Sequence, residues 1–199
     1  MIKINLRFSP VNYIFGAPGT GKTTVLAMIA RSFLRRGVRV YSNTPISGTI
    51  LYKDSELGLY DMSNSVIIFD ESGVGLSARS FKKGLMSNED RIDYWKKIRH
   101  RHSIIIMASQ SWSDTDKVCR DLAQSYFLIH KSIIPCFSTI IPIIKNCDID
   151  KITHQPADFF VMASLFQRKH IFRPKYYKYF DSFSCVPLPP YPDEQNLVQ

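Results

Sequence analysis

The residues best equipped for chemistry lie at 16–23, GAPGTGKT, which matches the spacing G-x-x-x-x-G-K-[ST]. Glycines at 16, 19 and 21 let the backbone curl until its N–H groups converge, and convergent amides at a helix start attract an anion. In that geometry Gly16, Ala17, Pro18, Gly19, Thr20, Gly21, Lys22, Thr23 and Thr24 wrap the phosphates of a nucleoside triphosphate. Lys22 reaches the β and γ phosphates, and the Thr23 hydroxyl binds magnesium. Asp70 and Glu71 form the second group, closing the apolar run SVIIF at 65–69. An acid at the carboxyl edge of a sheet suits the magnesium shell opposite Thr23, which assigns Asp70. Glu71 suits orienting and deprotonating a water, with capping of a turn as the structural alternative. Gln110 follows SIIIMAS at 103–109; its neutral amide fits either a γ-phosphate sensor or a structural cap. Together these groups predict hydrolysis of a phosphoanhydride with a nucleoside triphosphate and Mg2+ as ligands.

Such a constellation needs strands that end at one edge and a helix that starts there. Apolar runs at 11–15, 38–42, 65–69, 103–109 and 125–129 read as strands. Between the first two, Val25, Leu26, Ile29, Phe33 and Leu34 recur at helical spacing over 24–36, ahead of Gly37. Segments 86–99 and 114–124 also read as helices, the second capped by Ser113 or Asp114. The pattern predicts an α/β fold of the P-loop NTPase type: a mostly parallel central sheet flanked by helices, with a C-terminal β-rich extension. Residues 43–64, rich in Ser, Asp and Gly, read as an irregular excursion between the second and third strands. Residues 1–132 form the expected core. After about 132 the alternation stops, so 133–183 is the extension of the same domain, and the Pro-rich 184–199 is an extended or disordered tail.

A chain of 199 residues with 45% hydrophobic content suits one domain of this kind. No stretch reaches 18 apolar residues, and 133–144, interrupted by Pro135 and Pro142, fits a hairpin or buried strand better than a membrane span. The N-terminal residues lack the pattern of a signal peptide, so the expectation is a soluble, intracellular protein. Four cysteines without a C-x-x-C pair argue against structural zinc and against a disulfide framework. A formal charge of +9 implies affinity for a polyanion, with nucleic acid the commonest; anionic lipid or simple solubility would give the same charge.

As an ordered set, GAPGTGKTT, YSNTPI, IIFDESGVGLSARS, RHRHSIIIMASQ and YYKYFDSF resemble the Zot-like (zonular occludens toxin) family, within the FtsK-HerA superfamily of DNA-pumping P-loop ATPases. The resemblance runs over roughly 10–183 and includes the assembly ATPases of filamentous phages. It implies ATP as the nucleotide; the loop itself reads phosphates only, and no N-K-x-D guanine signature occurs. It also implies a homo-oligomer, such as a hexameric ring, with each nucleotide between subunits and an arginine supplied by the neighbour. Arg79, Arg99 and Arg101 are candidates, and a surface role is open for each. Such an arginine is worth about 10³ to 10⁵ in rate. The implied partners are phage DNA and other phage assembly proteins, in the cytoplasm of a bacterial host, at the inner face of its membrane or with virions. Filamentous-phage members carry a membrane-spanning segment after the ATPase domain. None is seen in this sequence, which leaves peripheral membrane association and points to a cytoplasmic subunit or a packaging motor.

Arg168, Lys169, His170, Arg173, Lys175 and Lys178 lie among Phe172, Tyr176, Tyr177, Tyr179 and Phe180, a mixture suited either to tracking single strands or to packing on the core. The leading function is a motor coupling ATP hydrolysis to DNA movement. The alternatives are a nucleotide-gated assembly factor with incidental turnover and a small-molecule kinase; the acid pair with Gln110 fits water activation better than a kinase acceptor.

Overall fold

The computed structural model describes residues 8–57, 59–70, 93–112, 117–149 and 156–181. Five of its strands are the apolar runs read from the sequence: β1 (Val11–Phe15), β2 (Arg39–Ser42), β4 (Ser65–Phe69), β5 (Ile104–Ser109) and β6 (Ser125–Lys131). The excursion after β2 adds a short strand, β3 (Ile50–Leu51), which two residues were too few to signal. Three strands follow β6: β7 (Phe137–Ile149), β8 (Pro156–Met162) and β9 (Lys169–Phe172). All join one sheet in the order β3-β2-β4-β5-β1-β6-β7-β8, with β9 also pairing β7. From β3 to β6 every pairing is parallel, and those of β7 with β6, β8 and β9 are antiparallel. The architecture is therefore mostly parallel α/β with an antiparallel C-terminal part. Residues 133–144, short and broken by prolines, contribute to a β6–β7 hairpin whose turn places Cys136 at φ 66°.

The parallel strands are apolar on both faces because both faces are covered. Ile14, Val66, Ile68, Ile106 and Ala108 point one way, into a cluster completed by Val25, Leu26 and Ile29 of α1 (Lys22–Leu34). Tyr13, Ile67, Phe69, Ile105 and Met107 alternate onto the other face, under Tyr94, Trp95 and Ile98. Residues 93–96 are helical, while the rest of the predicted 86–99 helix up to residue 92 lies outside the described residues. The helix predicted over 114–124 is seen as α2 (Lys117–Leu122), and its cap candidates Ser113 and Asp114 are likewise outside them.

Helix α1 begins two residues earlier than periodicity suggests. Gly21, at φ 94°, is its N-cap, so the helix starts at Lys22 as soon as the glycine loop ends. It closes on Arg35, with Gly37 at φ 76° turning the chain back toward β2. Helix α3 (Pro174–Tyr177) has Pro174 in its first turn, where the missing amide costs nothing. No described helix is long and apolar enough to cross a membrane.

Ile105 is fully buried (0% exposed) in the central strand β5. Ile105→Ala is expected to lower stability by about 2–5 kcal/mol. The check is a fall in the urea midpoint with an unchanged denaturant slope.

Candidate functional site

Strand order decides which side chains meet. β1, which leads into the glycine loop, and β4, which ends in Asp70, are not neighbours; β5 lies between them. Register aligns their carboxyl ends, with Phe15 beside Ser109 and Phe69 beside Met107. Hence the loop at 16–21, Asp70 and Gln110 share one edge of the sheet. A cleft of about 690 Å³ opens there, lined by Pro18, Gly19, Gly21, Lys22, Thr23, Thr24, Asp70 and Gln110, and also by Arg173, Tyr177, Phe180 and Asp181 from the C-terminal segment.

The loop is held tightly. A Cβ at Gly16 would stand 2.3 Å from the Ile129 carbonyl oxygen of β6, so only glycine allows the loop to pass that close. At Gly21 the positive φ and a Ser138 hydroxyl 2.7 Å from the Cβ position exclude other residues twice over. Thr20 is buried; its hydroxyl donates to the Ala17 carbonyl at 2.8 Å, and its own carbonyl accepts from the Ser138 hydroxyl at 2.6 Å. Ala17, Pro18 and Gly19 form the exposed crest. The Lys22 ammonium donates to the carbonyls of Gly16 at 2.7 Å and Ala17 at 3.1 Å, which holds it within the loop. By helix geometry, the first-turn amides of α1 have no acceptor inside the helix and form the positive end of its dipole.

Opposite the loop, the Thr23 hydroxyl donates to an Asp70 carboxylate oxygen at 3.1 Å. Asp70 is 6% exposed. A buried carboxylate facing a hydroxyl beside a lysine is the donor set that a hard cation and a phosphate chain require, so the residues fit magnesium and a nucleotide. Asn43 fixes Asp70 from behind: its carbonyl oxygen accepts from the Asp70 amide at 2.8 Å and its amide donates to the Asp70 carbonyl at 2.9 Å. In the sequence Asn43 stands out only as part of YSNTPI. The position, one residue past a parallel strand adjoining that of the acid, was the available signal.

Gln110 is exposed at the cleft, on a segment pinned by its neighbours. The Ser111 carbonyl accepts from Tyr13 and from Ser109, each at 3.1 Å, and Trp112 packs edge-on to Tyr13 and Phe15 at 5.3 Å. Glu71 and Arg79 lie outside the described residues. Arg99 and Arg101 precede β5 and thus stand at its amino end, about 20 Å along the strand from this edge. Arg99 is exposed. The Arg101 guanidinium lies 4.9 Å from the Tyr94 ring centre and 3.4 Å from an Asp61 oxygen. Hydrogen bonds from Ser63, and then Arg101, hold the Asp61 carboxyl below its ordinary range; this exposed pair adds little stability.

The basic and aromatic residues near the C-terminal end do not form one surface. Lys169 and His170 belong to β9, where His170 Nδ1 pairs with the Thr139 hydroxyl at 3.0 Å. Tyr176, Tyr179 and Phe180 pack on the α1 side of the core, and Phe180 also lines the cleft with Arg173 and Tyr177. Residues Ser138 and Arg173 at the site were not legible in sequence, since no spacing relates them to the loop.

Two substitutions test this construction. Gly16→Ala is expected to lower the melting temperature, because the clash is with backbone. Asn43→Ala is expected to raise the magnesium concentration needed for nucleotide binding by about 10- to 100-fold, as loss of a residue that orients a metal ligand does. Titrating magnesium against a fluorescent nucleotide reads the effect; metal-free binding stays unchanged.

No protein-family model and no curated protein sequence matches the chain. Among solved structures it superposes on the N-terminal domain of zonular occludens toxin from Neisseria meningitidis, with a TM-score of 0.55 and 16% identity, over 88% of this chain and 100% of that one. It also superposes on the genome packaging NTPase B204 from Sulfolobus turreted icosahedral virus 2, solved in complex with ATP-gammaS, with a TM-score of 0.50 and 10% identity, over 77% and 98%. Likeness at such identities is likeness of fold. The chain has the P-loop NTPase fold, and over 88% of its length that fold is similar to the N-terminal domain of a zonular occludens toxin, the family that its ordered motifs resemble.

Proposed function

We propose that this chain binds ATP with magnesium at residues 16–24 and hydrolyses it, and that hydrolysis moves phage DNA during virion assembly, extrusion or packaging. The observation that carries the reading is the 3.1 Å approach of the Thr23 hydroxyl to Asp70, beside Lys22 and in a cleft that Gln110 also lines. Loop amides and Lys22 bind the β and γ phosphates, and Thr23 with Asp70 holds the metal, which neutralises phosphate charge when bound. Glu71, the next residue after Asp70, accepts a proton from the attacking water as its oxygen bonds to the γ-phosphorus. The bond from that phosphorus to the β,γ-bridging oxygen breaks, and ADP and phosphate leave. Gln110 orients the water or reports the γ-phosphate.

The motor part of the reading has separate support. The formal charge of +9 favours a polyanionic track, and a structural neighbour is a genome packaging NTPase by name. The family resemblance adds the homo-oligomer, with Arg79, Arg99 or Arg101 of a neighbouring subunit completing the site. For Arg99 and Arg101 that arrangement brings the amino edge of one sheet against the carboxyl edge of the next. The work is assigned to the cytoplasm of a bacterial host, with other phage assembly proteins as partners. Residues 133–183 act as part of the same domain, which the Ser138 to Thr20 hydrogen bond favours.

Steady-state ATPase rates with and without single- and double-stranded DNA test the proposal. Wild type is expected to be stimulated by one DNA form, and Lys22→Ala and Glu71→Gln are each expected to abolish turnover. Slow turnover indifferent to DNA would reject the motor and leave a nucleotide-gated assembly factor.

A further inference from the structure

A loop that grips phosphates leaves the rest of a nucleotide unheld, and the described part of the cleft supplies a second wall from the C-terminal segment of the same chain. We infer that residues 173–180 complete the nucleotide site in cis: Arg173 joins Lys22 on the phosphates, and Tyr177 with Phe180 forms the surface on which the base stacks. The inference rests on the nucleotide reading above and adds the residues that hold the base.

Arg173 carries the first half. Its side chain lies against the loop, with Cδ 3.0 Å from the Cβ position of Gly21. Among the described residues its guanidinium makes one hydrogen bond, a long 3.5 Å contact from a terminal nitrogen to the Gly19 carbonyl. Its Nε is buried and has no hydrogen-bond partner. A buried donor left unsatisfied costs free energy, and a guanidinium fork matches phosphate oxygens better than it matches a single carbonyl. The charge therefore stands beside the phosphate loop with donor capacity to spare.

The aromatic half follows from how the segment is anchored. Tyr179 and Tyr176 hold it down: the Arg31 guanidinium of α1 lies 4.7 Å from the Tyr179 ring centre, and the Tyr179 carbonyl accepts from the Ser47 amide at 2.7 Å. Phe180 bridges Ile46 as an isolated antiparallel pair. With Tyr176 and Tyr179 committed to the core, Tyr177, four residues after Arg173, is left on the cleft side, 47% exposed. Its ring stands at 84° to that of Phe180, with centroids 6.3 Å apart, so the two form a corner rather than a packed stack. An exposed aromatic face beside a phosphate loop offers a purine its π surface, and stacking of this kind tolerates any base.

The same rings could instead stack on DNA bases, and binding measurements separate the two. Affinities for ATP, GTP, inorganic tripolyphosphate and a single-stranded oligonucleotide are compared by displacement of a fluorescent nucleotide and by DNA anisotropy. Wild type, Lys22→Ala, Arg173→Ala, Tyr177→Ala and Tyr177→Phe are measured, with melting temperatures reported for each. Tyr177→Ala is expected to weaken ATP and GTP by about tenfold. It should leave tripolyphosphate unaffected, and Tyr177→Phe should restore purine affinity. Arg173→Ala is expected to weaken ATP and tripolyphosphate alike. Unchanged ATP affinity in Tyr177→Ala, with binding still lost in Lys22→Ala, overturns the cis wall while the phosphate site stands. Loss of oligonucleotide binding alone in Tyr177→Ala also overturns it and assigns the rings to DNA. Failure of wild type to bind either ATP or tripolyphosphate overturns this inference and the nucleotide reading together.

Discussion

Thr23, in the first turn of α1, and Asp70, one residue past β4, are 47 residues apart in the chain, yet a hydroxyl and a carboxylate oxygen stand 3.1 Å from one another. That approach depends on a strand that carries neither residue. β5 separates β1 from β4, and parallel registry brings all three carboxyl ends to one edge, where α1 begins and β4 stops. Burial on both faces makes the registry stiff. Shifting β4 by one residue would exchange Ile67 and Ile68 between two different cores and swing Asp70 away from the loop.

The antiparallel strands beyond β6 do more than extend the sheet. Ser138 of β7, itself fully buried, holds the Thr20 carbonyl, and Arg173 after β9 lies on Gly21. The phosphate loop is thus compressed between its own helix and a hairpin more than a hundred residues later in the chain. Glycine at 16 and 21 answers that compression as much as it answers the needs of a ligand. The Ile129 carbonyl leaves no room for a Cβ at the first, and the Ser138 hydroxyl leaves none at the second. Compression of this kind pre-orients the amides, so that less ordering remains for the moment of binding.

Support for the acid comes from a different direction. Asn43, just past β2, makes two hydrogen bonds to the backbone of Asp70 and a third, at 3.0 Å, to the Asp54 carboxylate. The irregular stretch after β2 therefore acts as a brace for the carboxyl end of β4. Tyr52 adds to it, its hydroxyl donating to the Ile68 carbonyl at 3.1 Å from a buried position that pushes its pKa well up.

By itself the sequence determined the parallel strands, the glycine loop with Lys22 and Thr23, and the edge on which Asp70 and Gln110 would fall. Each is a local pattern: an apolar run of strand length, a fixed motif spacing, a polar residue directly after a buried strand. It also carried enough ordered motifs to foresee the fold shared with the zonular occludens toxin domain. It could not reveal that β5 runs between β1 and β4, that Asn43 clamps Asp70, or that Ser138 and Arg173 reach the loop. It also grouped Arg173 and Tyr177 with residues that the fold sends to the core or to β9. Those facts are contacts across long loops between strands paired in non-consecutive order, and residues that meet only through sheet pairing leave no periodicity or spacing in the chain that joins them.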